Sequence, residues 1–237
     1  MLLMVYLLQN NCLYCKERGK MYNKRIYLFL LISLMMLLTA CGGSVEEKIH
    51  GQLEEVVSLE KEFEQQQSDL AELEKKEQAI YKKIIDLPLD ELDKIKKLSN
   101  DAKKTIETRL EKINLEQESL HSSKEEFEKV ENVKKKLEDD SLKKTADKMY
   151  KKMMDRYDTY DQFHKEYTAS LKLEKELYDI LSKENSTQDQ LSDQLEKLND
   201  SYKQLIEMND EFNKKTKEYN DLKKKFYEEA DLNVSYK

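Results

Sequence analysis

The chain has 237 residues, 38% of them charged and 38% hydrophobic, with 42 Lys+Arg against 49 Asp+Glu. The first 40 residues hold five of the basic and one of the acidic side chains, which leaves 37 against 48 and a net charge of −11 from residue 41 onward. So acidic a chain argues against a nucleic-acid partner, which is met by a basic face, and against attraction of the whole molecule to anionic lipid or teichoic acid.

Residues 1–20 form an odd preface, because Met21-Tyr22-Asn23-Lys24-Arg25 already starts as a signal peptide starts. Lys16-Glu17-Arg18-Gly19-Lys20 can be encoded almost wholly in purines, as a ribosome-binding site would be, so Met21 rather than Met1 is the expected start and 1–20 an upstream extension. The C-x-x-C spacing of Cys12 and Cys15 lies in this preface, with no second cysteine pair or nearby histidine to complete a metal site.

Residues 21–40 read as a lipoprotein signal peptide. Lys24 and Arg25 supply the positive start, and 26–38 is a 13-residue apolar core interrupted only by Ser33, the length of a secretory core and too short to span a bilayer. Leu38-Thr39-Ala40-Cys41 then forms a lipobox: a branched apolar residue, a small residue at the cut and a thiol to accept diacylglycerol. Cleavage between Ala40 and Cys41 is expected to leave Cys41 as the lipid-attachment site and 41–51 as a tether. With Cys41 acylated the mature chain has no disulfide, so packing alone must stabilise it.

From residue 52 to 237 the pattern is helical. Glycine disappears after Gly51 and Pro88 is the only proline, which removes the usual punctuation of strands. Apolar residues recur in steps of three, four or seven along four stretches: Ile49 to Leu87, Leu89 to Leu137, Leu142 to Leu181 and Leu191 to Ala230. Breaks are expected at Asp86-Leu87-Pro88, at Asp139-Asp140-Ser141 and at Asn185-Ser186-Thr187, the last with Gln190 completing a capping box. Ser99-Asn100-Asp101 is a weaker break that would kink or split the second helix. The fold expected is all-α, an elongated antiparallel bundle of three or four long, coiled-coil-like helices.

Chemistry is sparse. No histidine sits in an H-E-x-x-H, no serine in a G-x-S-x-G, and among so many acids no cluster lies in an apolar stretch, so no carboxylate pair can be nominated for hydrolysis. Asp155, Asp158 and Asp161 are spaced to share a cation, but Lys151, Lys152 and Arg156 beside them make a solvated face the better reading. No cofactor or metal is expected. The third helix carries the ladder Tyr150, Tyr157, His164, Leu171, Tyr178 beside a second of Met153, Tyr160, Tyr167. Such a wide aromatic face is either the most buried one or, through Tyr157, Tyr160, His164 and Tyr167, a platform for sugar rings or another helix.

The lipobox, Phe63-Glu64-Gln65-Gln66-Gln67, the run from Leu73-Glu74-Lys75 to Ala79-Ile80-Tyr81, Asp90-Glu91-Leu92-Asp93-Lys94-Ile95, Arg156-Tyr157-Asp158-Thr159-Tyr160-Asp161 and Glu176-Leu177-Tyr178 together resemble the YkyA-like cell-wall-binding lipoproteins of Gram-positive bacteria. The likeness spans nearly all of the mature chain, and the preface before Met21 departs from it. It implies a helical lipoprotein held at the outer face of the cytoplasmic membrane and facing the wall, with Cys41 as the one functional residue that carries over. The reading that follows is a non-enzymatic spacer or adaptor, its partners membrane lipid through diacylglycerol and a wall polymer or wall-associated protein. Its rivals are an extracytoplasmic chaperone or scaffold working by helix–helix contacts, and a peptidoglycan hydrolase.

Overall fold

The structure, a computed structural model, describes residues 43–232 other than 89, and residue 234. The leader, the lipobox at 38–41 and both preface cysteines lie outside the described residues. What is described is all-α, with no strand among those residues. Its helices are α1 (Val45–Leu59), α2 (Lys61–Ile85), α3 (Leu92–Glu128), a short α4 (Val130–Lys134), α5 (Asp140–Leu181) and α6 (Gln188–Glu229). They form four antiparallel runs, α1 with α2, α3 with α4, α5, and α6. The last two are 42 residues each, about 63 Å at 1.5 Å per residue.

Caps set most of the boundaries. Thr187 Oγ1 accepts from Gln190 N at 3.2 Å and Gln190 Oε1 accepts from Thr187 N at 3.1 Å, a reciprocal box that satisfies two orphan amides. Asp139 Oδ1 caps α5 through Leu142 N at 2.8 Å. A second box was not foreseen. Ser44 and Glu47 close the start of α1 at 3.0 and 3.1 Å, so the stretch expected as tether is helical from Val45 onward. Gly51 stands inside α1 with open space around the position a Cβ would take. The break expected at Ser99-Asn100-Asp101 is absent: α3 runs straight through it, with Ser99 and Ala102 fully buried on its packed face.

The ladders of the sequence become the core. On α6, Leu198, Leu205, Phe212, Tyr219 and Phe226 are all buried at strict seven-residue steps, and Ile106, Ile113, Leu120 and Phe127 do the same on α3. That period is the signature of supercoiled helices packing knobs into holes. Between residues 134 and 152, Lys134 meets Glu131 and Asp147 at 2.8 and 2.5 Å and Lys152 meets Glu218 at 2.7 Å.

One interruption has a clear cause. In a continuous helix Phe63 N–H would donate to the carbonyl of Leu59. Here the Ser119 hydroxyl of α3 stands between them, donating to Leu59 O at 2.6 Å and accepting from Phe63 N at 3.2 Å. A side chain inserted into the ladder is a standard cause of a kink. The same joint is clasped by Arg156 of α5, whose guanidinium reaches both Glu60 oxygens at 2.8 and 2.9 Å, while Ser123 donates to Glu60 Oε1 at 2.9 Å. Sequence periodicity ran straight through this joint because the apolar stripe keeps its step across it.

Two substitutions test this account by chemical denaturation. Ser119→Ala leaves the Leu59 carbonyl and the Phe63 amide without their shared partner and is expected to cost about 1–3 kcal/mol. Gly51→Ala, at an exposed helical position with room for a methyl, is expected to gain about 0.5–1 kcal/mol.

Candidate functional site

The bundle is not closed all round. α2 packs on α3, α3 on α5 and α5 on α6, but α2 and α6 have no extensive packing against one another. Near the joint they still touch, Phe63 and Phe212 lying 5.9 Å apart by ring centroids. Beyond that contact, towards the loops at 86–91 and 182–187, the two helices border a groove of about 1110 Å³. Leu70 and Ala71 of α2 face it from one side, Leu198, Tyr202 and Ile206 of α6 from the other, and Ile206 is 63% exposed.

The floor is charged. Arg109 of α3, only 5% exposed, lies beneath the groove among three glutamates. Its Nη1 pairs with Glu77 and, at 2.6 Å, with Glu174, and its Nη2 is 3.5 Å from Glu74. Nε and Nη2 also donate to Tyr167 Oη at 3.0 and 2.9 Å, and the Tyr167 hydroxyl donates in turn to Glu74 at 2.7 Å. Tyr202 of α6 donates to Glu174 at 3.0 Å, tying the far side of the groove to the same node. Burial opposes the charge on Arg109, but Glu174, Tyr167 and Glu77 outweigh it and hold the guanidinium more basic than usual.

A second node stands nearer the closed end. Glu116, 2% exposed, accepts from Tyr160 Oη at 2.6 Å through Oε2, while its Oε1 is buried with no hydrogen-bond partner. Burial pushes the Glu116 carboxyl from the ordinary 4.5 to about 7, the Tyr160 hydrogen bond opposing and the charge of Glu74 adding to the rise. Glu77 also rises to about 7, by burial first and repulsion from Glu174 second, with Arg109 acting against both. Burial likewise raises Glu174. Acids in an apolar pocket therefore do exist in this chain, contrary to the expectation that none could be singled out.

The four residues read as one ligand face are divided by the fold. Tyr160 and Tyr167 line the groove. Tyr157 is buried lower in the bundle, 6.2 Å from the Phe127 ring and 2.6 Å from Ser123 Oγ. His164, its basicity lowered first by burial, lies over α3 with Nε2 3.0 Å from Asn114 Oδ1. The physical reason is that positions 157/164 and 160/167 belong to two ladders facing different neighbours. Asp158 and Asp161 pair with Lys124 at 3.0 Å and with His121 at 2.9 Å. Among the described residues no group of three His, Cys, Asp or Glu side chains is placed to hold a metal ion.

The missed residues did leave a signal. Phe63, Leu70, Glu77, Ile84 is a seven-residue series, as are Ile95, Ala102, Arg109, Glu116 and Ala146, Met153, Tyr160, Tyr167, Glu174, and all of these side chains are buried. Charges that occupy core positions of a heptad are the ones to single out from an acidic surface. A carboxyl that holds its proton more tightly folded than unfolded adds stability that is complete below the unfolded-state value and is lost as pH rises through the folded one. The melting temperature should accordingly fall between about pH 4.5 and about pH 7 through Glu77 and Glu116. Glu116→Gln should flatten that fall and be more stable than the parent by about 1–3 kcal/mol at pH 8, as read by thermal melts across pH.

The sequence pattern of one family, described as "YkyA: Putative cell-wall binding lipoprotein", matches residues 44–229. The chain is 34% identical over 157 residues to the uncharacterized lipoprotein YkyA of Bacillus subtilis strain 168, covering 66% of this chain and 70% of that one. It also resembles the 1.6 Å crystal structure of a conserved protein of unknown function from Staphylococcus aureus, with a TM-score of 0.67 at 19% identity over 78% of this chain and 96% of that one, a likeness of fold. On the strength of the match across the whole described bundle, this chain belongs to the YkyA family of lipoproteins.

Proposed function

We propose that this protein is a non-enzymatic adaptor, anchored by a diacylglycerol on Cys41 to the outer face of the cytoplasmic membrane, that engages wall polymer through the groove between α2 and α6. The observation that carries the reading is an open groove, with Tyr202 and Ile206 exposed along its α6 wall, in a member of a family described as "Putative cell-wall binding lipoprotein". Two acyl chains suffice for stable anchoring where one is reversible. The groove lies at the end of the rods away from the start of α1, so an anchor ahead of Val45 would leave it facing outward. Its mixture of apolar side chains, tyrosine hydroxyls and amides such as Asn199 and Asn209 is suited to binding a polar chain lengthwise.

One observation favours a hydrolase as a second reading: Glu116 carries a raised pKa on the floor, with Glu74 close enough to raise it further. Glycosidases use a carboxylic acid of raised pKa and a second carboxylate across a cleft. Against this, the candidate partner Glu74 already accepts from Tyr167 and lies beside Arg109, so it holds structure together rather than waiting for a reacting atom.

Purified wall sacculi should co-sediment the mature protein without loss of mass from the sacculi, and clearing in a wall-impregnated gel would transfer the assignment to the hydrolase. Mass spectrometry should find the mature chain starting at an acylated Cys41, and Cys41→Ala should move it out of the membrane fraction. Failure of sacculi to retain the protein overturns the adaptor reading.

A further inference from the structure

Each buried acid of the groove but one is compensated by a cation of the chain itself. The buried Glu77 and Glu174 share Arg109, and the exposed Glu74 lies 3.5 Å from it. Glu116 shares nothing of the kind: among the described residues its one hydrogen-bond partner is Tyr160, it enters no ion pair, and its Oε1 is sealed from solvent without a partner. A neutral hydroxyl would fill a lone pair but leave the charge unmet, and an isolated carboxylate in an apolar site is among the costliest things a protein can bury.

The surroundings fit a cation. Tyr160, whose hydroxyl donates to Glu116, has its ring 5.4 Å from Phe63, 6.0 Å from Phe163 and 5.5 Å from Phe212, the last with the Arg156 guanidinium 4.8 Å over it. The electron-rich faces of such rings attract ammonium groups, as in aromatic cages. Four glutamates line the groove against Arg109 and Lys75, which makes it an acidic channel. From Gln67 to Tyr81 its α2 side is about 20 Å long at 1.5 Å per residue, and Leu70, Ala71, Leu198 and Ile206 offer apolar contacts along it, room for several residues of an extended chain and not only for one amine.

We propose that the groove binds a short peptide bearing a primary ammonium group, which seats on the free oxygen of Glu116 against the aromatic rings while the peptide lies between α2 and α6. This rests on the wall-binding reading and names its ligand chemistry: the amine-bearing peptides of the wall rather than its glycan. Glu116 is then a binding residue kept unsatisfied in the free protein, and its loss should stabilise the fold while it abolishes the ligand contact.

The test uses the full mature chain in detergent and isothermal titration with three probes. These are muramidase-released wall fragments, the same fragments with their primary amines acetylated, and glycan strands stripped of peptide by an amidase. The native fragments should bind, acetylation should weaken them about tenfold or more, and Glu116→Gln should weaken the native fragments to the same degree without changing the acetylated ones. The acetylation arm depends on no variant, and Glu116→Met serves in parallel, its fold checked by circular dichroism. Equal binding of native and acetylated fragments, equal binding by Glu116→Gln, or binding of bare glycan as tightly as native fragments each overturns the ammonium site. If intact sacculi still retain the protein in those cases, the wall-binding reading survives alone. If sacculi are not retained either, both fall.

Discussion

Taking a charge out of water costs several kcal/mol unless an opposite charge and good hydrogen bonds meet it inside, and this bundle does so at positions where a supercoil normally keeps leucine. Arg109, Glu77 and Glu174 come from three different helices and occupy core steps of three different ladders. Slide any one helix by a turn and a carboxylate loses the guanidinium, whereas leucine facing leucine tolerates such a slip. The buried node fixes the register of α2, α3 and α5, and the Tyr202 hydroxyl brings α6 to the same place. Arg156 clasping Glu60 does the equivalent service at the joint of α1 and α2.

Register and opening are linked. A glutamate with its Arg109 partner, a tyrosine donor and the edge of a groove needs space that close-packed apolar side chains would fill, and the groove opens beside the Arg109 node, whereas the Arg156–Glu60 pair is enclosed in the tight end. Around Phe127, Tyr157 and Tyr219 the rings meet edge to face at 6.1 to 6.2 Å, a packed core. Around Arg109 and Glu116 the polar side chains border the groove instead.

Much of the architecture was legible before any coordinates. Four stripes became four runs, the turns fell at Pro88, Asp139 and Thr187, and the Thr187 box formed as its spacing implied. The ladders are long enough that a chance mismatch or two does not hide them, and each cap is a local event between residues three apart. The site was not legible in the same way. Ser119 meeting Leu59 and Phe63, or Glu116 meeting Tyr160, are encounters between residues about 40 to 60 apart in sequence, decided by how ladders face each other rather than by any motif. The aromatic ladders of α5 are buried at Tyr157, Tyr160, Tyr167, Leu171 and Tyr178, but a ladder says which residues share a side of one helix, not which neighbour that side will find. The stretch 41–51 was expected as a tether, and the capping box of Ser44 and Glu47, three residues apart, starts α1 inside it at Val45.

The groove opens from Gln67 on α2, some 22 residues beyond Val45, so helix length alone holds it about 33 Å above the foot of the rods. A stalk of stacked turns is a ruler. Adding or removing a heptad in every run below the joint would raise or lower the mouth by about 10 Å and leave its lining untouched.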